Sequence, residues 1–569
     1  MVSLNFIIFL LSFFLILISV LGYGFLFLRI NKINKSLNFG YVGLFGIFFL
    51  VIYSYLSNLF LPHSKFHNFI IIIIGIIIFF FYIIKNFNIN KLNNEILFCS
   101  LLFIILFLSL LMIKNHDDFS YYHFQYTYYL TQESFSFGVG QFNHGFRTPS
   151  SIFYLNSLFY LPIVDYYLFN FSSVLILGFA NIIFLNKVGI SLQKMRFLAL
   201  DNKSLFIKYL SLFSLVFINI FFYRISEHGT DRSAQILILI LIVELYEIFI
   251  KDDFQKYRLA FLYFLFGIIV SLKAFYFLYL VFFIPIFLYI LKNKKNFYLT
   301  FKYLFFNRFF LFVFFLICLI IFSYFSNTGC LLYPLNFTCF EKLKWAIPSG
   351  EVLHMNNWYE LWSKAGANPN YRVENPNQYI KGFNWVNNWF DGYFFNKMSD
   401  FILGIFSVIL LFLIIFLKPN LKPQLFLLNN FIISIYLIIF LILIEWFYNH
   451  PSLRYGGYCV IALIFFIPSS YLLSSYTINL KKFSRSVIFL VCLTFIIFVI
   501  RNINRLDNEV KKYQYKPLKE TYYSIDEKYF IIQNKMNVMK KKYINCKKFG
   551  SKCDTNKVST IYSKFIFEY

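Results

Sequence analysis

The chain has 569 residues, 59% of them hydrophobic and only 14% charged, with a formal net charge of +26. Apolar runs of about 20 residues recur along it, and so little polar surface cannot cover the core they would build, so a soluble globular fold is excluded and an all-α polytopic integral membrane protein is predicted. No basic domain stands apart from the apolar runs, so part of the lysine excess reads as drift in a composition dominated by Phe, Ile, Asn, Lys and Tyr. The rest reads as cytoplasmic loop charge and attraction to membrane lipids, with no nucleic acid as partner.

In chain order, the first run, about 4–28, lacks a basic leader and an A-x-A-like site and reads as a span, not a removable signal. Further runs lie near 39–61, 68–84, 96–113, 166–186, 207–223, 234–250, 259–272, 274–291, 308–324, 401–417, 425–447, 456–475 and 486–500, which makes about 13 to 14 spans. Arg29, Lys32 and Lys35 follow the first; Lys187, Lys194, Arg196, Lys203 and Lys208 lie between the fifth and sixth; Lys292, Lys294 and Lys295 follow the ninth. The positive-inside rule makes all three groups cytoplasmic, with the amino terminus outside a cytoplasmic (inner) membrane. That assignment requires the apolar stretch 259–291 to cross twice, as two short helices meeting near Lys273.

On this topology residues 1–500 form a transmembrane domain with outer loops at about 114–165 and 325–400, and 501–569 form an outer carboxy-terminal tail. The first loop carries the aromatic stretches FSYYHFQYTYYL and SSIFYLNSLFYLP, expected as helices half-buried among headgroups. The second is rich in Trp and Asn, and its indoles suit sugar rings or an interfacial belt. Cys330 with Cys339, and Cys546 with Cys553, fall outside as close pairs, which suggests disulfides; free thiols are the alternative, and zinc lacks further ligands at usual spacing.

Polar clusters gather at the outer ends of the spans. His116, Asp117 and Asp118 follow the fourth; Arg224, Glu227, His228, Asp231 and Arg232 crowd the turn YRISEHGTDRSA; Lys273 sits in SLKAF; and His450 and Arg454 lie in NHPSLRYGGY. A carboxylate can take a proton from an acceptor hydroxyl or hold a divalent cation, and Arg and Lys can bind a leaving phosphate. Those types describe group transfer from a phosphate-linked lipid donor on the outer face. The absence of a phosphate-binding loop, an HExxH helix and a GxSxG elbow removes support for ATP-driven and serine-hydrolase chemistry.

A carboxylate pair opening a long outer loop, here HDDFSYYHFQ, resembles the GT-C superfamily of membrane glycosyltransferases. With EHGTD, GCLLYP, SLRYGG and the terminal cysteine pair, most of the chain resembles an uncharacterised family of bacterial polytopic membrane proteins of GT-C-like layout. Four spans precede the acidic loop here, where the superfamily usually has one. The resemblance implies a polyprenyl-phosphate-linked sugar donor and a glycan, lipid or protein acceptor. Asp117 or Asp118 would be the catalytic base or hold a Mg or Mn ion, with Asp118 the favoured base, and Asp231 would be a second acidic group near the acceptor. Lys273, Arg232 and Arg454 would bind donor phosphate, while His116, Glu227 and His228 would line the site or tie the loop, as His123 and Arg147 do in the first loop. A transporter or lipid flippase and a non-catalytic membrane subunit remain the alternatives. Glu244, Glu247 and Glu445, in or near apolar runs, are expected to have interior hydrogen-bond partners.

Overall fold

The computed structural model describes residues 3–568 apart from 34–36, 87–88, 113–114, 191–200, 228, 368–372, 418–428, 477–479, 520–524, 550–556 and 562–563. Each expected span holds a helix: α1 Leu4–Ile30, α2 Phe39–Phe60, α3 Lys65–Asn86, α4 Ile89–Phe107, α5 Phe171–Val188, α6 Asn202–Phe221, α7 Gly229–Lys251 and α8 Lys256–Leu272. Then follow α9 Phe283–Lys294, entered through a 3-10 segment Ala274–Phe282, α10 Arg308–Thr328, α11 Ser399–Phe416, α12 Asn430–Asn449, α13 Tyr458–Ser474 and α14 Leu480–Tyr513. Among the described residues twelve helices are long and apolar enough to cross a membrane, and two shorter apolar helices, Asn94–Leu110 and Tyr257–Leu272, occupy the remaining expected spans. The stretch 259–291 does break at Lys273, whose extended backbone (φ −164°, ψ 140°) ends α8.

Helices α5 and α7 are almost wholly buried and form the centre, with α2, α6, α8 and α13 packed against them. Their apolar side chains run all round the helix, as a helix enclosed by others allows. Helix α1 lies against α2 and α3 through small residues: Gly22 meets the backbone of Gly75, and Gly46 that of Val20. Without a hydrophobic drive between helices in lipid, such close approach supplies the packing energy.

At one end of the bundle the spans are stapled by charge. Lys187 at the end of α5 pairs with Glu244 at 2.8 Å and with Glu247, both on α7, and Arg258 of α8 reaches Glu247 at 3.0 Å. Tyr41 of α2 donates to Glu244 at 2.6 Å. Lys187 and Glu244 are only 6% and 3% exposed, so Lys187 is a buried structural cation and not the interfacial loop charge expected from sequence.

One expectation for the loops at about 114–165 and 325–400 is corrected and a second is narrowed. The aromatic stretches are helical, over Phe119–Gln132 and Ser151–Ser157, but Phe124, Tyr126, Tyr129, Leu130 and all of Ser151–Ser157 are buried in protein and do not rest among headgroups. Trp385, Trp389 and Trp446 are likewise fully buried, each donating its indole N–H to a backbone carbonyl, of Gly382, Pro451 and Ser452 respectively. These three offer neither a sugar platform nor a belt, whereas Trp358 is exposed and Trp345 and Trp362 are half-buried in the same loop region. Cys330 and Cys339 are joined as a disulfide; Cys546 is disulfide-bonded too, and Cys553 lies outside the described residues. The tail carries a helix, Ile531–Phe549, and a two-stranded antiparallel hairpin, β1 Val558–Ile561 and β2 Lys564–Phe567, which docks on the first loop through Phe137.

Removing one partner from a buried ion network leaves an uncompensated charge. Lys187→Met is therefore expected to cost about 3–5 kcal/mol, read as a lowered thermal midpoint of the detergent-solubilised protein. Lys251, whose side chain is 44% exposed beside Glu247, is the control: Lys251→Met should cost no more than about 1 kcal/mol.

Candidate functional site

At the opposite end of the bundle, four segments far apart in the chain meet. Asp118 ends the short link after α4 and opens the helical turn 119–123. Asp231 stands in the first turn of α7, where the helix dipole favours a carboxylate. Lys273 projects from the break between α8 and the next segment, and Arg454 from the loop before α13. Arg454 joins them: its Nε donates to Asp231 Oδ2 at 2.6 Å and its Nη2 to Asp118 Oδ2 at 2.5 Å. Lys273 Nζ donates to the other Asp231 oxygen at 2.6 Å and lies 4.5 Å from the centre of the Tyr455 ring.

The loop that presents Arg454 is held on every side. Trp446 and Trp389 bind the carbonyls of Ser452 and Pro451, and the Leu453 N–H donates to the Tyr393 hydroxyl at 2.8 Å. Gln235, one turn beyond Asp231, donates to the Arg454 carbonyl at 3.2 Å and accepts from the Cys459 N–H at 3.0 Å. The turn also needs its glycines. Gly456 sits at φ +91°, and a Cβ on Gly457 would meet the Trp446 ring at 2.5 Å.

Burial raises the affinity of Asp118 for its proton, but Arg454, His123 and His116 outweigh this and hold the carboxyl below its ordinary range. The carboxylate is therefore ionised, and its side chain keeps 24% of its surface accessible. Lys273 is lowered as well, burial lowering it more than Asp231 restores. His116 accepts the Asp118 backbone N–H at 3.2 Å on Nδ1. Burial also lowers its affinity for a proton, more than the nearby carboxylates raise it.

The structure separates the two adjacent aspartates. Asp118 turns into the cluster, whereas Asp117 is exposed and outside it. Glu227 belongs to a different set of contacts: it is buried, accepts from Arg224 Nε at 2.8 Å, and pairs with Arg505 of α14, so it ties the 223–227 turn to the last helix. His228 lies outside the described residues. Arg232 faces the Phe222 ring, 5.6 Å from its centre, and has no part in the ion pairs of Asp231. Arg147 does tie loops, joining the first to the second through Tyr333 at 3.3 Å and Glu351 at 2.8 Å.

Sequence reading passed over Gln235, Tyr455 and the tryptophan clamps. Gln235 carried a signal, a polar side chain four residues after Asp231 on an apolar helix and hence on the same face. The clamps carried none, since their partners are backbone carbonyls distant in the chain. A divalent cation does not fit the residues as placed: among the described residues no three His, Cys, Asp or Glu side chains converge, and Arg454 and Lys273 occupy the space between the carboxylates.

His123 lies beside this cluster, 8% exposed, and burial pushes its imidazole down to about 3. A cation disfavoured in the fold adds stability above the ordinary imidazole range that is lost as pH falls below about 6.5, because the unfolded chain then binds the proton. Between pH 7 and pH 5 the loss from this residue is about 2 kcal/mol. Thermal midpoints at the two pH values should lie closer together in His123→Gln than in the parent by that amount.

No curated protein and no solved structure matches the chain. One family does, over residues 6–461, a stretch that runs from α1 into the first turn of α13 and contains Asp118, Asp231, Lys273 and Arg454, with α14 and the tail beyond it. The chain thus belongs to the family described as a domain of unknown function, DUF8201.

Proposed function

We propose that the protein is a GT-C-like glycosyltransferase, transferring a sugar from a polyprenyl-phosphate-linked donor to a glycan, lipid or protein acceptor at the outer face of the cytoplasmic membrane. The observation that carries this reading is the Asp118, Arg454, Asp231 and Lys273 cluster, which sets an accessible ionised carboxylate beside two cations at one end of the bundle. In the proposed reaction the acceptor hydroxyl gives its proton to Asp118 as its oxygen bonds to the anomeric carbon. The bond from that carbon to the phosphate oxygen breaks, and the polyprenyl phosphate leaves with the electron pair and an added negative charge. Lys273 and Arg454 neutralise that charge, and Asp231 holds both cations in place. No metal ion enters this scheme.

Transport is the second reading, and the buried charges of α5, α7 and α8 are the features it would use. Those charges are satisfied by one another and by Tyr41, as a structural staple requires, which favours chemistry at the opposite end.

Mass spectrometry of lipid extracts tests the proposal. Cells lacking the protein should accumulate a polyprenyl-phosphate-linked sugar that the wild-type chain clears. Asp118→Asn should leave it uncleared, with transfer slowed by about 10²–10⁴, the range of general-base catalysis. Asp117→Asn should restore clearance, since its carboxylate is outside the cluster. Unchanged lipids, or full rescue by Asp118→Asn, would sink the reading.

A further inference from the structure

The end of the bundle opposite the Asp118 cluster contains a cavity of about 250 Å³ between the ends of α6, α7, α9 and α12. Its lining is graded. Phe249, Ile250, Tyr289 and Ile432 are buried, and with Phe431 they form the floor, whereas Lys203, Asp252, Lys292, Asn293 and Asn429 are exposed around the rim. The floor is tightly built: Phe249, Tyr289 and Phe431 contact one another with ring centres 5.1–5.8 Å apart. Two lysines against one carboxylate leave the rim cationic.

Depth is set by α7, which runs through the whole bundle. From Asp231 to Phe249 it rises 1.5 Å per residue, a separation of about 27 Å, close to the thickness of a bilayer hydrocarbon core. The cavity therefore opens where headgroups meet acyl chains, on the side opposite the cluster.

We infer that this cavity binds an anionic phospholipid, its phosphate between Lys203 and Lys292 and the start of an acyl chain on the Phe249, Tyr289 and Phe431 floor. A free inorganic anion would use the rim and leave the aromatic floor uncovered. One turn of a protein helix, about 10 Å across and 5.4 Å long, fills about 420 Å³, more than the roughly 250 Å³ of the cavity. An anionic headgroup with an apolar tail satisfies both halves, and basic pockets between membrane helices recognise such lipids. The inference is independent of the glycosyltransferase reading.

The test is native mass spectrometry of the full chain in detergent, titrated with phosphatidylglycerol or phosphatidylethanolamine, with sodium phosphate as competitor. Phosphatidylglycerol should bind in preference, and sodium phosphate should not displace it. A juxtamembrane lysine contributes a factor of about five, so Lys203→Gln with Lys292→Gln should weaken binding by about 25-fold. Lys302→Gln, an exposed lysine outside the cavity, should bind as the parent does. Should the double variant aggregate, each single variant, altered only at an exposed side chain, should lose about fivefold. Equal binding of the two lipids, unaltered binding by the lysine variants, an equal loss in Lys302→Gln, or displacement by phosphate would each overturn the inference.

Discussion

Arg454 is the side chain on which the end of the bundle that holds Asp118 and Asp231 depends. A carboxylate in a partly dehydrated site is stable only with a counter-charge, and two of them brought together need one that can address both. The planar guanidinium, with donors pointing along separate directions in a fixed fork, meets this requirement. It binds Asp118 with one nitrogen and Asp231 with another, and so couples the 114–165 loop to the start of α7. Lys273 completes the neutralisation on the second oxygen of Asp231.

That geometry depends on a loop held almost entirely by its backbone. Trp389, Trp446, Tyr393 and Gln235 all bind main-chain atoms of residues 451–459, so the path of the chain around Arg454 is specified independently of the loop's own side chains. Buried indoles suit this task because each has one N–H to satisfy and a large apolar body to pack. The 325–400 loop supplies two of the clamps, and Arg147 and Glu351 attach it to the 114–165 loop. Loops that look like independent segments in the sequence are one construction around the cluster.

The two ends of the bundle use charge differently. At the end of α5 the ion pairs are enclosed, with Lys187, Glu244, Glu247 and Arg258 all at most 10% exposed, and their role is to hold helices in register. In the cluster the charges are reachable: Arg454 keeps 29% and Lys273 27% of its side-chain surface. Exposed charge at a helix end is available to a ligand, whereas enclosed charge is available only to its partners. The same helix, α7, anchors both groups, and the rise from Asp231 to Glu244 and Glu247 keeps them about 20–24 Å apart.

The sequence by itself determined the spans, because the length of an apolar run is set against the thickness of the bilayer and needs no tertiary information. It also located the break at Lys273, since the lysine-rich loops fall on one side only if 259–291 crosses twice, and it identified the 330 and 339 cysteines as a pair through their short separation. The polar clusters were legible as clusters for the same reason, their cost inside lipid. What only the tertiary structure decided is which members of those clusters meet. Asp117 and Asp118 are neighbours in sequence yet one faces solvent and the other Arg454, 336 residues away. Glu227 and Asp231 share a turn yet bind different partners, Glu227 binding Arg505 of α14 and Asp231 binding Arg454 in the loop before α13. Local pattern ranks residues by polarity, but the direction of a side chain at the end of a helix follows from how that helix is rotated against its neighbours, and that rotation is fixed by packing along its whole length.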